Sequence, residues 1–186
     1  MLGQGKARAA QELDAEDLAK LPLGTNPLKA LEKLPGVLFE AADAQGNYEW
    51  SMRFALRGFN QSQLGFTLDG VPLGDMSYTN HNGLHITRAI SPENLASVTV
   101  SQGSGSVGTA STSNLGGTVQ FVSSNPRPDF GVSAKQLIGS DAMTRSFVRL
   151  DTGESEAGTR AYLSVMHQTA EKWKGWGDQD LDQINA

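Results

Sequence analysis

The side chains with the most obvious chemical capacity are His81 and His85, four residues apart, with Asp69 and Asp75 upstream. Two imidazoles and two carboxylates suit a divalent ion that activates water, the chemistry of a metal-dependent hydrolase. Ligands four apart converge on one ion along a helix, yet Asn80, Asn82 and Gly83 are poor helix material. Tyr78–Asn82 therefore reads as an exposed polar loop, and the hydrolase is a minor alternative. Gly103–Gly108 spells G-x-G-x-x-G after a strand. A dinucleotide site needs a helix next and an acidic residue about twenty positions on. The Ser/Thr-rich run Thr109–Gly117 supplies neither, and no Gly-Lys-Ser/Thr follows. His167 stands alone in a strand and reads as a surface histidine. Cysteine is absent, which removes a thiol nucleophile, a disulfide framework and Cys-ligated zinc. No catalytic residue, metal or cofactor is assigned, and the chain is not expected to be an enzyme.

Arg57-Gly58 is more informative because of its surroundings. The 186 residues carry a net charge of −5, with 19% charged residues, below the usual quarter. Residues 51–127 are the poorest, with Arg53, Arg57, Arg88 and Arg127 against Asp69, Asp75 and Glu93, and they are rich in Gly, Ser, Thr and Asn. A free-standing soluble domain shows water more charge than this; the segment reads as something enclosed by another polar surface. An arginine inside such a module needs an anion if buried. Glu49 or Asp69 could supply it locally, or it stands on the enclosing surface. A pI near 5.1 argues against a nucleic-acid partner, which needs a basic footprint.

The elements that must position these groups change character along the chain. Asp14 caps a short helix over Ala15–Leu21, stopped by Pro22. Asn26 caps a second, with Pro27 first and Leu28, Leu31 and Leu34 on one face, ended by Pro35-Gly36. Strands then take over. Arg53–Arg57 and Leu64–Leu68 flank a turn at Asn60-Gln61-Ser62, and Asp69-Gly70 is a type I′ hairpin dipeptide before Val71-Pro72-Leu73. Leu95–Ser101 and Thr118–Val122 are two more strands joined by the glycine-rich loop. Asn125-Pro126-Arg127-Pro128 is a boundary. Beyond it, Thr144–Asp151 and Arg160–Met166 alternate with period two, one face apolar and one mixed, joined by Gly153-Glu154-Ser155-Glu156. That pattern fits a lipid-facing band or a soluble meander. Trp173 and Trp176 follow the last strand, where a membrane barrel carries aromatic residues.

Three stretches carry a resemblance: Leu34-Pro35-Gly36-Val37, Phe54-Ala55-Leu56-Arg57-Gly58-Phe59 and Leu68-Asp69-Gly70-Val71-Pro72-Leu73. With Leu95–Gln102, the glycine loop and Asn114–Phe121, they resemble the plug domain of TonB-dependent outer-membrane receptors. The resemblance covers about residues 1–127, and the remainder is similar to the first barrel strands. It implies an α+β fold: a small mixed plug domain, 1–127, with short helices and a few-stranded sheet. Antiparallel strands of an incomplete transmembrane β-barrel, 128–186, follow it.

In that family the plug blocks a barrel until energy delivered through TonB rearranges it. The resemblance implies a bacterial outer-membrane location and active uptake of a scarce nutrient, a ferric siderophore or similar chelate. Candidate substrate-binding residues are Tyr48, Trp50, Asn60, Gln61, Gln63, Tyr78, Asn80, His81 and Asn82. Arg57 matches one customary plug–barrel contact. Thr99 and Gln102 stand where the family usually has an acidic residue and an arginine. The TonB-binding segment precedes the plug in that family, so the contact is expected upstream of residue 1. Outer-membrane lipid is the other implied partner. A three-strand sheet cannot close, so the chain is expected to be a receptor fragment that does not transport alone. The alternative from a different class is a soluble α+β ligand-binding domain.

Overall fold

The computed structural model describes residues 10–76, 83–103, 111, 113–172 and 174–186. The chain divides into two units, Met1–Ser123 and Ser124–Ala186.

The first unit opens with β1 (Ala10–Asp14) and α1 (Ala15–Ala19). Asp14 caps α1, its Oδ1 accepting the Asp17 N–H at 2.9 Å. The helix is shorter than expected and turns before Pro22. α2 (Pro27–Ala30) tightens into a 3₁₀ turn over Leu31–Lys33. Its cap Asn26 accepts the Leu28 N–H at 2.9 Å, and Leu28 and Leu31 are fully buried. β2 (Val37–Glu40), β3 (Arg53–Leu56) and β4 (Phe59–Asn60) form an antiparallel three-stranded sheet. The expected turn at Asn60–Ser62 is a 3₁₀ helix over Gln61–Gln63.

The next strands are β5 (Gly65–Leu68), β6 (Val71–Pro72), β7 (Leu95–Gln102) and β8 (Gly117–Ser123), and α3 (Ile86–Ala89) lies between β6 and β7 in sequence. With β1 they form a second, mixed sheet in the order β1-β7-β8-β5-β6. β5 and β8 run parallel while the other pairs are antiparallel. The β5–β6 hairpin turns at Asp69 and Gly70, with φ of 50° and 79°. Both values are positive, as a type I′ turn requires. The core gathers Leu28, Leu31, Phe54, Leu56, Phe66, Ile86, Val98, Val100, Val119 and Phe121, with Phe54 and Phe66 edge-to-face at 6.2 Å. Burying each such side chain is worth roughly 1.5–3 kcal/mol.

The second unit is an antiparallel meander of β9 (Phe130–Ile138), β10 (Thr144–Thr152), β11 (Tyr162–Glu171) and β12 (Asp178–Asn185). The sheet has four strands where three were expected. β12 lacks a clean apolar alternation, because Leu181 and Ile184 fall on opposite faces. Pairing with β11 along its whole length, from Ser164–Asn185 to Glu171–Asp178, forms it. Trp176 is exposed in the connection before it, while Trp173 lies outside the described residues.

Candidate functional site

The aromatic candidates sit on a loop held by short-range hydrogen bonds. Asp43 accepts the Asn47 N–H at 2.8 Å and the Tyr48 N–H at 2.9 Å, one on each carboxylate oxygen. The Asn47 amide donates to the Gly24 carbonyl at 2.7 Å. This presents Tyr48 and Trp50 as a tilted ring pair 5.8 Å apart. The Trp50 indole donates to Glu49 at 3.1 Å, and Glu49 is in turn paired with Arg88. The second group of candidates is built differently. Asn60 and Gln63 form a capping box around the 3₁₀ turn, the Gln63 Oε1 accepting the Asn60 N–H at 3.0 Å. Gln61 between them is buried, its Nε2 without a hydrogen-bond partner among the described residues. Tyr78, Asn80, His81 and Asn82 lie outside the described residues, as does most of the glycine loop.

Arg57 takes φ of 51° and Gly58 φ of 83° in the tight turn between β3 and β4. The positive φ at Arg57 is uncommon for a residue with a Cβ. Its N–H donates to the Gly36 carbonyl at 2.7 Å, tying the turn to the Pro35-Gly36 corner. The side chain is exposed rather than buried. Both local carboxylates are engaged elsewhere, Glu49 with Arg88 and Asp69 with the Ser123 N–H at 2.8 Å. No carboxylate among the described residues pairs with Arg57. Nearby, Gln102 donates to the Pro35 carbonyl at 2.8 Å.

The hydrolase constellation does not assemble among the described residues. His85 is buried and caps α3, accepting the Thr87 N–H on Nδ1 at 3.3 Å. The same nitrogen meets Thr87 Oγ1 at 2.7 Å, and Nε2 meets Met52 Sδ at 3.3 Å. Burial pushes the His85 imidazole down from 6.5 to about 4, with Arg88 adding to the effect and Glu49 opposing it. A neutral core histidine with both nitrogens engaged is not a free ligand. His167 is not solitary as expected: its Nδ1 lies 2.8 Å from Asp182 and 3.7 Å from Asp180 across the β11–β12 pair. All three side chains are exposed.

The sequence pattern marks β10 as having a mixed face but does not reveal its role. Arg145, Phe147, Arg149 and Asp151 all point to the buried side, with Arg145 at 1% and Asp151 at 0% exposure. Arg145 donates to Gln168 at 2.8 Å. Arg149 donates through Nη2 to Asp151 at 2.8 Å and stacks over Tyr162 at 3.9 Å. The opposite face is apolar over much of its length. Phe130 is 73% and Ile138 77% exposed, and Val132, Val148, Leu150, Leu163, Val165 and Ile184 are also open. A soluble sheet buries its apolar face and shows its charges. Here charged Arg145, Arg149 and Asp151 are buried while an apolar band around Val132, Val148, Leu150, Leu163 and Val165 is open, as in the wall of a membrane barrel. His167, Asp180 and Asp182 stand on the same outward face beyond that band.

No curated protein matches the chain. Solved structures do. The unliganded ferric citrate transporter FecA superposes with a TM-score of 0.72 at 24% identity, covering 96% of this chain and 28% of that one. The ferric yersiniabactin uptake receptor FyuA from Yersinia pestis gives 0.65 at 17%, covering 89% and 25%. The ferripyoverdine receptor of Pseudomonas aeruginosa gives 0.64 at 20%, covering 87% and 20%. The chain thus spans between a fifth and three-tenths of their length, and at these identities the likeness establishes the fold. A family model described as the TonB-dependent receptor plug domain matches residues 4–118. With more than half its length inside that match, and with the short helices, mixed sheet and antiparallel strands described above, the chain belongs to the TonB-dependent receptor plug family.

Proposed function

We propose that residues 1–127 form the gate and residues 128–186 the first wall strands of an outer-membrane receptor. The receptor takes up a scarce nutrient, a ferric siderophore or similar iron chelate, using energy delivered through TonB. The observation that carries this reading is the inverted polarity of the second unit, with buried Arg145, Arg149 and Asp151 behind a face of exposed Val, Leu and Ile. Lipid solvates such an apolar face, and a polar lumen solvates the other. The composition of residues 51–127 agrees, since a charge-poor, glycine-rich surface lowers the desolvation cost of facing a closed interior. Arg57, held on a rigid turn with no described carboxylate, is available to one on the barrel wall. The structural relatives serve ferric citrate, yersiniabactin and pyoverdine systems, which supports a chelate as substrate.

Within this reading Tyr48 and Trp50 lead the substrate-binding set, because hydrogen bonds to Asp43 and from Asn47 hold their loop and a ring pair offers an apolar face to a bulky neutral chelate. Asn60, Gln61, Gln63, Tyr78, Asn80, His81 and Asn82 complete it. Catalysis has no part in the mechanism: the gate binds, blocks and rearranges. The test is uptake of radioactive iron by cells producing the complete receptor, across a panel of ferric chelates, with and without TonB. Uptake of at least one chelate that vanishes without TonB is expected. Uptake of none, or uptake indifferent to TonB, overturns the reading.

A further inference from the structure

The segment between the two units changes partners abruptly at Ser124. Ser123 closes β8, and its N–H donates to the carboxylate of exposed Asp69 at 2.8 Å. From Ser124 onward the partners change. Ser124 Oγ accepts from Arg149 Nη1 at 2.6 Å, and the Asn125 carbonyl accepts from Arg149 Nη2 at 3.1 Å. The Arg127 N–H donates to Asp151 Oδ1 at 3.0 Å, and Arg127 Nε lies 3.6 Å from Asp151 Oδ2. The Pro128 carbonyl accepts the Glu154 N–H at 2.8 Å. Arg149 and Asp151 are themselves buried and paired. On the near side Ser123 is held by strand pairing opposite Leu95 and by its bond to the Asp69 carboxylate. On the far side residues 124–127 are gathered by several charge-assisted bonds onto one buried pair. Pro126 and Pro128 further restrict the backbone.

Building on the receptor function proposed for the chain, we propose that Arg149 and Asp151 are positioning residues that fasten residues 124–128 to β10. Any rearrangement of the plug then pivots at the Ser123–Ser124 junction. The linker stays on the wall while the plug moves. Breaking the pair lets the pivot migrate into the linker.

Single nitroxide labels can be placed by Val122→Cys and Asn125→Cys in the complete receptor in detergent, with any cysteine outside these 186 residues replaced by serine. Both side chains are exposed, and the bond that holds Asn125 uses its carbonyl rather than its side chain. Under rising urea, the label at 122 is expected to become mobile before the label at 125. Arg149→Met and the isosteric Asp151→Asn should abolish that gap and speed exchange of the Arg127 amide about tenfold or more. Should both variants fail to fold, Ser124→Ala removes one bond without breaking the pair and should narrow the gap. Labels that loosen together in the unmodified receptor overturn the proposal, as does a gap untouched by every variant that folds. The labels report the fastening whether or not iron is transported, so the uptake assay fails independently.

Discussion

His85 makes the stability of the first unit depend on pH with a definite sign and size. Its imidazole is buried against Met52 and Thr87, and burial lowers its pKa from 6.5 to about 4. The unfolded chain takes up the proton near pH 6.5, whereas the folded one resists it until about pH 4. Stability is therefore fully present above pH 6.5 and falls as pH drops toward 4. The slope is about 1.4 kcal/mol per pH unit inside that window. Between pH 7 and pH 5 the loss is about 2 kcal/mol, roughly a thirtyfold change in the unfolding equilibrium. Stopping at pH 5 keeps most ordinary carboxylates ionised. His85→Asn is the informative variant, because asparagine can still cap α3 through its amide oxygen but cannot titrate. Urea unfolding of the chain in detergent, followed by amide exchange at Val98, Val100 and Val119, should show the drop in the parent and its absence in the variant. A parent equally stable at both pH values, or a variant that loses as much, would rule out His85 as the source.

Leu31→Ala empties a fully buried site and should cost about 2–5 kcal/mol, while Leu38→Ala, on an exposed residue, should stay within about 0.5 kcal/mol; denaturant unfolding checks both. Gly70 holds φ of 79° in the β5–β6 turn, so Gly70→Ala should destabilise by about 1–2 kcal/mol, read from the same transition. Val148→Lys puts a charge on the exposed apolar face of β10. It should lower the yield of membrane-inserted receptor in proportion to a cost of about 2–4 kcal/mol, measured by membrane fractionation.

Most of the first unit is legible in the sequence because its signals are local. Asn26-Pro27 fixes a helix start, and Asp69-Gly70 fixes a hairpin through positive φ. β1 is not legible: Ala10–Asp14 has no β-branched residue, and edge pairing with β7 makes it a strand. β12 escapes for the same reason, its three aspartates masking a strand that only β11 defines. At the site, Trp50 is exposed and Tyr48 half-buried beside it, while the grip of Arg149 and Asp151 on residues 124–128 leaves no mark in the sequence. Nothing in an alternating pattern says which face is buried; here that face carries the charges. Arg57 was expected at a strand end and sits instead in a two-residue turn, which its following glycine explains.

A structure of the complete receptor in a lipid environment bears most directly on the gate-in-barrel reading. Further strands should pair with the free edges of β9 and β12 and close a cylinder around residues 10–123, with Arg57 against a wall carboxylate. A first unit lying outside any barrel, or a meander whose apolar face is covered by its own chain in water, would contradict that reading.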